Sequence, residues 1–111
     1  MGLGPTQARM QLLNAANGVN LAHTLLKANA SPKEKEKIAE MAQHHIEQGD
    51  RAVESLKSSP EVAANWEKFK TAAHTFFNST KPDSSIEQMF TETLMAVKRT
   101  PPSTRTNTPE N

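Results

Sequence analysis

The sequence predicts an all-α protein: an antiparallel four-helix bundle over residues 6–99, followed by a disordered C-terminal tail over residues 100–111. Three observations carry this reading. Pro5, Pro32, Pro60 and Pro82 each stand just ahead of a stretch with apolar residues every three or four positions, and a helix tolerates proline in its first turn because the missing N–H would go unpaired there anyway. Val and Ile together number only seven and Tyr is absent, while Ala, Glu, Lys, Gln, Leu and Met are plentiful, an inventory that supports helices and starves strands. A chain of 111 residues makes one domain at most, and 14 of its 39 apolar residues are Ala, so the core has to be thin and closely approached.

The first segment places Leu12, Ala16, Val19, His23 and Leu26 on one stripe. Asn14, Asn17, Gly18 and Asn20 weaken it as a helix, and a break at Asn17-Gly18 is compatible with that run. Met10, Leu21 and Leu25 fall on the opposite side. This second apolar strip is either covered by bending of the first helix within its own chain or left as a partner surface.

The second segment opens on Ser31-Pro32-Lys33-Glu34, a full capping box: a serine cap, a proline at the first helical position and a glutamate three residues after the serine. Ile38, Ala42, His45, Gly49, Ala52 and Leu56 then step by 4, 3, 4, 3 and 4, which predicts one continuous buried stripe. The third segment starts at Ser59-Pro60-Glu61, with an acid where the helix dipole favours negative charge. Val62, Trp66, Phe69, Ala73 and Phe76 line its inner face, and its aromatics are expected to supply most of the core volume by packing on the second helix. In the fourth segment Ser84-Ser85-Ile86-Glu87 reads as a second capping box. Ile86, Met89, Phe90, Thr93, Leu94 and Val97 share a face, and Lys98 and Arg99 complement the C-terminal dipole. From Thr100 to Asn111, three Pro, four Thr and no large apolar side chain cannot offset the entropy of ordering.

Composition excludes more than it names. Thirteen Lys and Arg balance twelve Asp and Glu for a net charge of +1, which supplies no clustered field for nucleic acid. No apolar run approaches the roughly 20 residues needed to cross a bilayer, and the N-terminus lacks the pattern of a cleaved signal. A soluble, cytoplasmic chain is expected. Without cysteine there is neither disulfide nor thiolate chemistry. Asp occurs twice, and no nucleophile elbow, phosphate loop or His-Glu-x-x-His run is present. The ten Glu fall mostly on outer faces, so no enzyme is expected.

Four histidines are the groups able to change charge near neutrality. His23 and His45 sit on stripe positions of the first and second helices, where hydrogen-bonded core histidines are the expectation and the two could meet. Glu40, His44 and Glu47 step along an outer face as a solvated, salt-bridged row, although the spacing could hold zinc weakly. No metal or cofactor is expected. Met1-Gly2 fits a loose myristoylation pattern, and Asn29-Ala30-Ser31 and Asn78-Ser79-Thr80 fit glycosylation sequons, which read more simply as termini and turns.

The strings Ala22-His23-Thr24-Leu25-Leu26 and Ala73-His74-Thr75-Phe76-Phe77 echo one another. They resemble the start of the phosphoacceptor motif in histidine phosphotransfer domains, which are small helical bundles with the pattern Ala-His-x-Leu-Lys-Gly. The resemblance implies His23 or His74 as a phosphoacceptor facing a response regulator. The chain departs from that pattern: Lys27 stands one position late after His23, no lysine follows at the matching place after His74, neither is followed by the glycine, and only one helix follows His74. The expected function is therefore a non-enzymatic helical interaction or regulatory module, presenting Met10, Leu21 and Leu25 to another protein or to a second copy of itself. A histidine-phosphotransfer-like signalling domain is the alternative.

Overall fold

The computed structural model describes residues 4–28, 30–56 and 59–99, and they form four helices: α1 (Pro5–Lys27), α2 (Pro32–Glu54), α3 (Pro60–Asn78) and α4 (Ser84–Arg99). Among the described residues there is no strand. The predicted tail at 100–111 lies outside them, as do Met1-Gly2 and Asn29.

Local chemistry accounts for most of the helix boundaries. Pro5, Pro32 and Pro60 each occupy the first turn of their helix. Ser31 and Glu34 close the predicted capping box: the Glu34 N–H donates to Ser31 Oγ at 3.2 Å, and the Ser31 N–H donates to Glu34 Oε1 at 2.8 Å. Accepting from the Ser31 backbone N–H, and then from the Ser31 hydroxyl, holds the Glu34 carboxyl below its ordinary range. Ser59 makes no side-chain cap at α3 and is itself buried. At α4 the predicted box is displaced by one residue. Asp83, not Ser84, is the cap: its Oδ1 accepts from the Ile86 N–H at 2.9 Å, a bond that a serine one position later would have to make with Glu87 instead. Accepting that bond, then one from the Ser85 side chain, lowers the Asp83 carboxyl below its usual range.

The antiparallel order is visible in side chains that join distant segments. Near the start of α1, Arg9 donates to the Lys98 carbonyl at the end of α4 at 3.0 Å; near the end of α1, His23 meets Glu87 at the start of α4. Gln11 donates to the Gln48 carbonyl at 3.0 Å, while Gly18 lies against His45, so α1 and α2 also run in opposite senses. α1 is unbroken through Asn17-Gly18. Gly18 serves the packing, because the His45 ring stands where a Cβ would sit, 2.5 Å from that position.

The core is aromatic on one side and alanine-lined on the other. Trp66, Phe69, Phe76 and Phe90 are fully buried, together with Ala8, Ala15, Ala16, Ala22 and Ala52. Trp66 lies over Gly49 of α2 as expected, and two other α3 aromatics also meet α4. Phe69 and Phe76 turn to Phe90 of α4, with ring centroids 5.3 and 5.7 Å apart. Two further expectations are corrected here. Ile38 is only half-buried and α2 has no buried residue before Ala42, because the run Lys33-Glu34-Lys35-Glu36-Lys37 has no apolar face to bury. Met89 is 49% exposed, since Phe90, Leu94 and Val97 suffice to fill the narrow inner side of α4.

Candidate functional site

The unpacked start of α2 shapes one end of the bundle. This charged arm leaves a cleft of about 370 Å³ between itself, the end of α1, the end of α3 and the entry to α4. Leu26, Ala39, Phe76 and Phe77 give it apolar walls, and Lys27, Lys35 and Glu87 bring charge to it. The Phe76 and Phe77 rings meet edge to face at 5.0 Å and 85°. Phe76 is buried behind, while Phe77 is half-buried at the wall itself.

A cluster of three side chains braces this wall. The His23 ring is 8% exposed and lies between two phenyl rings, 4.2 Å from Phe90 in a stacked geometry and 4.3 Å from Phe76 in a tilted one. Its Nε2 is 2.9 Å from Glu87 Oε1. An ionised carboxylate can only accept, so Nε2 carries the proton of this bond. Lys27 Nζ reaches the same oxygen at 3.3 Å. Glu87 was expected to cap its own helix; with Asp83 as the cap, its carboxylate is available to α1 instead.

The sequence-predicted residues separate into distinct places. Met10, Leu21 and Leu25 are 59, 53 and 41% exposed on the outer face of α1. Met10 borders a shallow depression with Gln7, Gln11, Asn14 and Gln48. His23 and His45 do not meet. His45 is half-buried over Gly18, 3.2 Å from Gln48 Oε1 through Nδ1, and Gln48 reaches His44 Nε2 at 3.4 Å with its amide nitrogen. His74 is exposed on α3 although its neighbour Ala73 is buried, so the two echoing strings present their histidines oppositely, His23 inward and His74 outward. Among the described residues no three His, Asp or Glu side chains converge on a metal-binding position, and no helix is long and apolar enough to cross a membrane.

Sequence reasoning missed the His23–Glu87–Lys27 cluster and the cleft. Its one available signal was the pair of acceptors competing to cap α4: if Asp83 caps, Glu87 is left free. Two exposed methionines, Met89 and Met95 at 49 and 45%, were also missed as surface residues. Six positions apart, they point about 120° away from each other around α4 and form no common strip.

Comparison with protein-family models, curated proteins and solved structures finds no match for this chain.

Proposed function

We propose that this chain is a non-enzymatic helical interaction module whose outer α1 face, through Met10, Leu21 and Leu25, binds another protein or a second copy of the chain. The observation that supports the reading is the contrast across one helix. α1 buries seven residues on its inner side, from Ala8 to His23, yet keeps three large apolar side chains at 41 to 59% exposure on the outer side. A helix that needed only to pack within its own chain has no use for them in water. Leu21 and Leu25, one turn apart, make the centre of the face, and burial of each would contribute about 1.5 to 3 kcal/mol before the entropy of association is subtracted.

Sedimentation velocity of the full chain, together with affinity capture from its native host, tests this. Leu21→Glu is expected to abolish self-association or the captured partner while the circular dichroism spectrum and melting midpoint stay unchanged. If association is absent in both measurements, or indifferent to Leu21→Glu, the proposal fails.

Histidine phosphotransfer is the second reading, and the exposure of His74 is what favours it; His23, closed between two phenyl rings, is out of reach of a docking domain. Incubation with a phosphorylated receiver domain would put an acid-labile label on His74 and none on His74→Gln. Absence of label ends that reading.

A further inference from the structure

We infer that the cleft between the α2 arm and the ends of α1 and α3 binds a small amphipathic anion, an apolar body carrying a carboxylate. The inference is independent of the α1 face, which lies elsewhere on the molecule. At about 370 Å³ the cleft falls at the small end of the roughly 300–1,000 Å³ of ligand sites, so it suits a short chain or a single ring system.

Its chemistry is divided. Leu26, Ala39 and the rings of Phe76 and Phe77 offer an apolar surface, and it is pre-formed because the buried His23 stack fixes Phe76 from behind. Charge is unequal: Lys27 and Lys35 line the cleft against one carboxylate, Glu87. That carboxylate is already engaged by His23 at 2.9 Å and by Lys27 at 3.3 Å. The excess positive charge therefore rests on Lys35, which has no acid partner among the described residues. Asn78, Ser79 and Thr80 at the rim add groups able to donate to a carboxylate. An anion with an apolar tail satisfies both halves of the lining. A cation would meet Lys35, and a neutral molecule would leave it unpaired.

The test uses the full chain, labelled for amide NMR, and three probes that share an apolar tail: octanoate, octanol and octylammonium. Octanoate is expected to shift the signals of Lys35, Ala39 and Phe77 to Thr80 saturably, octanol to bind the same place more weakly, and octylammonium not to bind there. Lys35→Glu should weaken octanoate about tenfold, a change of about 1.4 kcal/mol, and leave octanol unaffected. Ala39→Trp, at an exposed helical position, should fill the cleft and abolish binding of both while the melting midpoint is retained. Equal binding of octanoate and octylammonium, octanoate shifts confined to the Leu21 and Leu25 face, or no saturable shift at all would each overturn the inference.

Discussion

The indole of Trp66 rests on the bare Cα of Gly49, and its Nε1–H donates to the neighbouring Asp50 carboxylate at 2.8 Å. Asp50 in turn receives the Lys70 ammonium at 2.9 Å. One glycine thus lets α3 seat its largest side chain on α2, and the next residue satisfies the polar atom which that seating would otherwise bury. A Cβ at position 49 would lie well inside van der Waals contact of the indole. Gly49→Ala should destabilise the protein by about 1 to 3 kcal/mol through overpacking, although alanine is the better helix former by about 1 kcal/mol. Urea unfolding measures the loss, and a red shift of the tryptophan emission would report the displaced ring. A neutral or stabilising result would mean that Trp66 does not depend on this seat.

The bond between His23 and Glu87 is separable from the ion pair with Lys27. Glu87→Ala leaves the His23 Nε2–H, 8% exposed with its ring, without an acceptor, at a cost of about 1 to 3 kcal/mol. Glu87→Gln keeps an acceptor and loses only the Lys27 pair, whose ammonium side chain is 55% exposed and which contributes about 0 to 1 kcal/mol. Chemical denaturation of the two variants should rank them in that order. Equal losses would show that charge, and not the acceptor, holds the histidine.

The cap of α4 can be assigned by mutation. Asp83→Ala should lower the melting midpoint and fray the first turn of α4, whereas Ser84→Ala should change little; the reverse order would restore the serine as cap. Acid adds a second readout. The folded Asp83 and Glu34 carboxyls are both held below their ordinary range, so they bind protons less readily in the folded chain than in the unfolded one. Their contribution is present above the unfolded-state values, about 4 for such carboxylates, and is lost as pH falls through the lowered folded ones. Lys70 acts at the opposite extreme. Burial pulls its ammonium down, but the hydrogen bond and charge of Asp50, with Glu67, outweigh that and raise it. Its contribution is complete below the ordinary lysine range and lost as pH rises through the raised value. The gap between the melting midpoints of wild type and Asp83→Ala should be full above the ordinary carboxylate range and shrink as pH falls through the lowered Asp83 value.

Two leucines on α1 should behave oppositely. Leu12→Ala removes a fully buried side chain and should cost about 2 to 5 kcal/mol. Leu21→Glu, at a position 53% exposed, should stay within about 0.5 kcal/mol of wild type. Equilibrium unfolding distinguishes them, and a large loss at Leu21 would place it in a covered interface of the folded chain.

What the residues declared by themselves was whatever depends on neighbours within about four positions. Pro5, Pro32 and Pro60 begin their helices, and Ser31 with Glu34 closes its box, because a helix end recruits donors and acceptors from its own turn. The three- and four-residue steps of Leu12, Ala16 and Val19, or of Trp66, Phe69, Ala73 and Phe76, sort inside from outside for the same reason, and they put Met10, Leu21 and Leu25 on the far side of α1 without saying whether that side is covered. The tertiary structure decided the rest. Whether Asp83 or Ser84 capped α4 was undetermined locally, and the choice released Glu87 to a histidine 64 positions away. Gly18 weakens a helix in isolation, yet α1 runs through it because the His45 ring occupies the space it leaves. His23 and His74 stand in nearly the same five-residue string, but one is stacked between phenyl rings and the other faces water. The cleft exists because α2 extends past the point where its apolar face begins. Helix formation follows short-range hydrogen bonding, which a linear pattern records; which faces meet follows the shapes and unpaired polar atoms of segments far apart in the chain, which it does not.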